Sequence, residues 1–231
     1  MFSVKSARSY FPITVVYEDK DAFKPSTAYL IGYEPHSVLP LGMNIFTKYA
    51  ADTPSPLRGY VMGTSTVVKK LLAEGTTCAL CPGGVQECLY MQEGLEVAFL
   101  RKRTGFVKIA LELGVPLVPA FSFGQTPHYT YARPLIDWPS KVLPTSAHPM
   151  SRLARRIGYL PMLAWGWMGT ALPRPVPMYI VVGKPIEVPR VYSPSLEQVH
   201  NYLDKFISAL QHLFETHKAQ ADYPQERLVV Y

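Results

Sequence analysis

A largely parallel β-sheet flanked by helices is the fold this sequence predicts. Four short apolar runs have strand character, helical periodicity fills intervals between them, and polar, glycine-bearing loops follow three of the runs. Strands that alternate with helices build covered, mostly parallel sheets.

The first run, Ala28–Tyr33, ends abruptly in Glu34-Pro35-His36-Ser37. A helix follows over "STVVKKLLAEG", with Ser65 as its N-cap and Gly75 as its stop. The second run is Thr77–Cys81. The next helix is "RTGFVKIALELG", which sets Phe106, Ile109, Ala110 and Leu113 on one face and closes at Gly114. Pro116–Phe123 and Met178–Val182 are the remaining strands. Ser195 and Gln198 form a capping box that opens an amphipathic helix marked by Val199, Tyr202, Leu203, Phe206, Leu210 and Leu213, ending near His217.

The 231 residues suffice for one α/β domain, and no repeat or low-complexity tract divides residues 1–231. Charged residues make up 17% of the chain, against roughly 25% in an average soluble domain. The net charge of +6 suits an anionic lipid surface or a phosphorylated substrate. No basic block interleaved with aromatics marks a nucleic-acid surface. The apolar run 157–172 beside Arg152, Arg155 and Arg156 is too short to span a bilayer, and it reads either as a membrane-surface segment or as irregular core. Cys78, Cys81 and Cys88 read as free thiols, because no second Cys/His pair follows to complete a zinc site.

If the sheet is parallel, the loops after its strands share one edge, where α/β proteins bind ligands. Three loops then meet: "EPHS" at 34–37, "CPGGVQE" at 81–87 and "FSFGQ" at 121–125. His36 is the general-base candidate. Gly83 and Gly84 can offer backbone amides to a phosphate or a developing oxyanion. Glu87 can orient the imidazole or cap the next turn. The other histidines, His128, His148, His200, His212 and His217, read as solvated surface. No G-x-S-x-G elbow, Walker A loop or dinucleotide fingerprint is present, so a serine hydrolase and a nucleotide-fold enzyme both lack their signature. A histidine base without an activated protein nucleophile suits direct transfer to a substrate hydroxyl.

Six stretches together resemble the type 2 diacylglycerol acyltransferase family: "YFPI" (10–13), "GYEPHSVLPLG" (32–42), "CPGGVQE" (81–87), "FLRKRTGFVKIALELGVPLVPAFSFGQ" (99–125), "WGWMG" (165–169) and "VVGKPIEV" (181–188). Their order matches, and the E-P-H-S form resembles plant and algal members. Two departures accompany the match. Family members carry an apolar membrane hairpin before the Y-F-P motif, ahead of which this chain has nine residues. The interval from His36 to Pro82 is also short of an aromatic, Arg-containing helical segment.

The resemblance implies a glycerolipid-acyltransferase-like fold and acyl transfer from acyl-CoA, a co-substrate, to a neutral glycerolipid, with no metal or bound cofactor. The expected product is triacylglycerol. Monoacylglycerol, a wax alcohol or phytol are alternative acceptors, and a catalytically silent lipid-binding relative is the reading from another class. His36 and Glu87 take the catalytic positions. Glu34, Pro35, Ser37, Pro82, Gly83 and Gly84 surround the substrate, and Arg101, Lys102 and Arg103 meet the phosphates of CoA. The implied setting is the cytosolic face of the endoplasmic reticulum membrane or the lipid droplet. Self-association is a further expectation.

Overall fold

The computed structural model describes residues 10–50, 52–61, 63–92, 94–133 and 162–231. In chain order the strands and helices are β1 (Ile13–Tyr17), β2 (Leu30–Glu34), β3 (Tyr60–Val61), α1 (Ser65–Ala73), β4 (Cys78–Leu80), β5 (Leu95–Ala98), α2 (Gly105–Leu113), β6 (Leu117–Phe123), β7 (Thr130–Ala132), β8 (Leu163–Trp165), β9 (Met178–Val182), α3 (Leu196–His217) and β10 (Arg227–Val230). Arg152, Arg155, Arg156 and His148 lie outside the described residues, as does the start of the apolar run 157–172, up to residue 161.

Six strands form the main sheet in the order β1-β9-β6-β2-β4-β3. All neighbours run parallel except β6 and β9. The expected parallel sheet is therefore mixed at one junction. Apolar alternation reports that a strand is buried but carries no information on its direction. Two further pairs stand apart, β5 with β10 in parallel and β7 with β8 antiparallel.

Why the central strands read as continuous apolar runs is clear from their two faces. β2 and β6 are buried along their whole length. Side chains alternate between faces. Leu30, Leu117, Phe121, Phe123 and Val181 point to the layer holding α1, α2 and α3. Tyr29, Ile31, Tyr33, Val118, Ala120 and Ile180 point to the other face, covered by Phe11, Phe23 and the 3-10 turn Leu41–Phe46. A sheet covered on both sides needs apolar residues at every position.

The helices form largely as the sequence predicts. The capping box at Ser195 is made, with Gln198 N–H donating to Oγ at 3.1 Å and Ser195 N–H donating to Gln198 Oε1 at 2.9 Å. α2 ends at Gly114. The N-cap of α1 is Thr64 rather than Ser65: the Thr64 hydroxyl accepts from Val67 N–H, and Ser65 is the first helical residue. Both residues are N-cap types, so propensity does not choose between them. β1 was not among the four expected strands: it is rich in β-branched residues but only half buried, so it forms no continuous apolar run. β3, β5, β7, β8 and β10 have two to four residues each, too few for a period to register.

α3 crosses the sheet with Phe206 over Gly32 of β2 and edge-on to Phe106, with centroids 5.1 Å apart. A Cβ on residue 32 would sit inside contact distance of the Phe206 ring. Gly32→Ala should therefore destabilise the chain by about 1–3 kcal/mol through overpacking, read as a lower denaturation midpoint. An unchanged midpoint would mean that α3 shifts freely on the sheet.

Candidate active site

β6, β2 and β4 are adjacent and parallel, so their C-terminal ends open on one edge. The three predicted loops meet there. His36 N–H donates to Glu87 Oε2 at 2.7 Å, which binds the histidine loop to the Pro-Gly-Gly loop. Glu87 Oε1 accepts from Phe99 N–H at 2.9 Å and so adds the end of β5. Across the same gap, Gly83 N–H donates to Glu34 Oε1 at 3.0 Å. Gln125, which follows β6, is buried and closes the third side. Its Oε1 accepts from Tyr33 Oη and, at 3.1 Å, from Gly42 N–H, while its Nε2 donates to the Pro35 carbonyl.

This framework leaves the His36 ring partly exposed. Its Nδ1 lies 2.9 Å from the Ser37 carbonyl. A carbonyl only accepts, so Nδ1 carries the hydrogen and Nε2 keeps the lone pair. The Ser37 carbonyl is aimed by a backbone in the left-handed region, with φ of 51°, and it also accepts from the Cys88 thiol at 3.1 Å. The Glu34–Pro35 peptide is cis.

Three sequence expectations change here. Glu87 holds the main chain of residue 36 and makes no hydrogen bond to the imidazole. A carboxylate reaching across a narrow gap meets backbone N–H groups before it meets a ring that turns outward. Gly83 cannot present its amide to substrate, because Glu34 occupies it. Gly84, at φ of 62°, opens a 3-10 turn, and its N–H has no partner among the described residues. The first amides of a helical turn have no partner within the turn. The basic triplet also divides. Arg103 Nη2 donates to the Gly83 carbonyl at 3.0 Å. Lys102 is exposed beside the Cys81–Pro82 cavity. Arg101 instead joins the end of β10, its Nε donating to the Val230 carbonyl at 3.3 Å.

Glu34, Pro35, Ser37 and Gly83 are buried, whereas Pro82 and Gly84 stay partly exposed, and Pro82 lines the cavity. Burial raises the carboxyls of both Glu34 and Glu87, and the charge of Glu87 raises Glu34 further. Two backbone amides favour the charged form of Glu87. The two amides make Glu87 the better placed of the pair to carry a charge. Cys81 lines the cavity, yet burial, then Glu34 and Glu87, push its thiol well above the ordinary range. Burial also lifts Cys78 to about 11 and Cys88 to about 12. None is a thiolate at neutral pH, which disfavours both a cysteine nucleophile and thiolate zinc ligation.

His128 overturns its surface assignment. It is fully buried, its Nδ1 lies 3.0 Å from the Gln125 carbonyl, and Phe11 meets it edge-on at 5.0 Å. A lone histidine after Thr-Pro carries no sequence signal for this. Gln125 itself lay in the third predicted loop, but no residue pattern announces three simultaneous hydrogen bonds.

Against known proteins, the family model described as diacylglycerol acyltransferase matches residues 2–59 and 57–231. The chain belongs to the diacylglycerol acyltransferase family. It is 32% identical to diacylglycerol O-acyltransferase 2-like protein 6 of Bos taurus, covering 94% of this chain and 73% of that protein. It is 30% identical to acyl-CoA wax alcohol acyltransferase 2 of Mus musculus, again over 94% of this chain and 73% of the relative. The crystal structure of the 1-acyl-sn-glycerophosphate acyltransferase PlsC from Thermotoga maritima shares the fold, with a TM-score of 0.50 and 13% identity over 90% of this chain and 74% of that one. The glycerolipid-acyltransferase-like α/β fold that the resemblance implied is thus present in this family member.

Two predictions follow from the buried acids. Glu34→Ala should cost about 1–3 kcal/mol, since Gly83 N–H loses its acceptor, while Glu34→Gln, which keeps one, should lose clearly less. Equal losses in denaturant melts would exclude that hydrogen bond as the cause. Glu96, buried on β5 with Thr126 Oγ1 donating to it at 3.1 Å, is raised to about 8, chiefly by burial. The folded state then holds a proton that the unfolded state releases near pH 4.3. Stability should fall as pH rises from about 4.3 to about 8, by up to ~1.4 kcal/mol per pH unit, and level off above. Glu96→Gln should flatten that slope. An unaltered slope would assign it to other groups.

Proposed function

We propose that the chain is an acyl-CoA-dependent O-acyltransferase that transfers a fatty acyl group to the free hydroxyl of diacylglycerol, making triacylglycerol, with His36 as general base. The observation that carries this reading is the tautomer of His36. Its Nδ1 is committed to the Ser37 carbonyl, which leaves the lone pair on Nε2 of a partly exposed residue, and the amide of that residue is bound to Glu87 of the Pro-Gly-Gly loop. Family membership supports acyl transfer, and the names of its relatives support an alcohol acceptor.

In the proposed step Nε2 takes the proton of the acceptor hydroxyl as its oxygen attacks the thioester carbonyl. Glu87 lies close enough to the imidazolium that forms to interact with it. Negative charge grows on the carbonyl oxygen, and the Gly84 amide is the candidate donor to it. Collapse breaks the carbon–sulfur bond. The CoA thiolate leaves and recovers the proton from His36, so the new ester and free CoA are the products. Glu87 acts in this scheme as a positioning residue, through the backbone of residue 36.

The proposed setting is the cytosolic face of the endoplasmic reticulum membrane and the lipid droplet. No helix among the described residues is long and apolar enough to cross a membrane. Leu163, Trp167, Met168 and Leu172, exposed by 63%, 50%, 82% and 44%, suit contact with a lipid surface.

Labelled acyl-CoA supplied with diacylglycerol to lipid-depleted membranes expressing the chain should yield labelled triacylglycerol. His36→Ala should lower turnover by ~10²–10⁴ at equal protein level, and Cys81→Ala should keep most of it. An acyl group trapped on Cys81 or Ser37, or full activity in His36→Ala, would refute direct transfer. Label entering wax alcohols in preference to diacylglycerol would reassign the acceptor and leave the step unchanged.

A further inference from the structure

Two cavities meet beside the catalytic loops. The first, about 330 Å³, has Cys81 and Pro82 on one wall and Lys102, Arg103 and Phe106 on the other. The second, about 560 Å³, is an open trench between α1 and α2. Ser65, Gly105 and Ile109 line both, so the two are continuous. The helices lie side by side and point the same way: Ser65 shares the trench with Gly105 at one end, Ala73 with Leu113 at the other. Both N-termini, with their partial positive charge, therefore sit at the end nearest the catalytic loops.

The charges along this path are unbalanced. Lys69, Lys70 and Lys108 line the trench, and Lys102 and Arg103 flank its inner end. At the inner end Arg103 interacts with Glu34, and two carboxylates face the four lysines. Glu112 is shared by Lys69 at 2.5 Å and Lys108 at 3.9 Å, and Glu74 lies 3.9 Å from Lys70. Between the lysines the wall is apolar, from Ala73, Ile109 and Leu113. The inner cavity is apolar on Val68, Leu80 and Phe106. An occupant that fits has a polyanionic end with a flat ring and a narrow, mostly uncharged arm. α1 extends the path by roughly 13 Å from its inner end.

We propose that this continuous groove seats the coenzyme A portion of the acyl donor. The phosphorylated nucleotide lies over Lys69, Lys70 and Lys108, and the pantetheine arm runs inward to bring the thioester beside Pro82. The assignment rests on the acyltransferase reading above and adds to it where the donor binds.

Titration of the purified chain with CoA, dephospho-CoA and pantetheine tests it. The double variant Lys70→Ala/Lys108→Ala should bind CoA about tenfold more weakly, the scale of two lost surface charge contacts. The loss should shrink for dephospho-CoA and vanish for pantetheine, and raised salt should narrow the gap. Lys205→Ala, on the exposed side of α3, should bind CoA like the native chain. Matched melting curves exclude misfolding, and Lys70→Glu/Lys108→Glu should widen the effect. CoA affinity equal in both double variants and the native chain would overturn the groove while acyl transfer stands. So would transfer from acyl-pantetheine by a chain that binds no CoA. A native chain that neither binds CoA nor transfers from any acyl thioester would overturn the groove and the function together.

Discussion

The Glu87 carboxylate is the contact on which the site depends. One oxygen takes the amide of His36 and the other the amide of Phe99. One side chain on the loop after β4 thereby fixes the loop after β2 and the end of β5. Hydrogen bonds to an ionised acceptor are roughly twice as strong as neutral ones. Burying such an acid would be costly alone, and the two amides make it tolerable.

Much of this was legible in the sequence, for reasons that can be named. The runs at 28–33 and 116–123 are buried on both faces, which is the case where apolar content alone identifies a strand. Once β2, β4 and β6 are taken as parallel, the convergence of residues 34–37, 81–87 and 124–125 is a topological necessity. Direction was not legible for β9, nor was the reach of long side chains. Whether Glu87 meets the ring or the backbone of residue 36 depends on distances of an ångström. Whether Arg101 turns to the groove or to β10 depends on a strand of four residues far along the chain. His128 was misjudged because its burial comes from Phe11 and Gln125, remote in sequence and unmarked by any local pattern.

The environment around the site keeps its thiols neutral. Three thiols are held protonated by burial, and in Cys81 and Cys88 by nearby carboxylates as well. Such surroundings suppress covalent chemistry on the protein, because a nucleophile must first lose its proton. A substrate hydroxyl carried in from outside is under no such penalty until the moment of attack. Low dielectric at the loop edge then strengthens each dipole aimed at the reacting carbonyl.

Ser37 links this chemistry to a torsion angle. Its carbonyl dictates which imidazole nitrogen is basic, and the direction of that carbonyl is set by φ of 51° at a residue with a side chain. Serine bears the left-handed conformation at modest cost, whereas a β-branched residue there would relax toward extended backbone and swing the oxygen away. The ring would then be free to exchange tautomers, and one of the two would offer a hydrogen where a lone pair is required. Residue 37 thus encodes proton traffic without touching a proton, and the alphabet it can draw on is limited to residues at ease on the left-handed side of the backbone map.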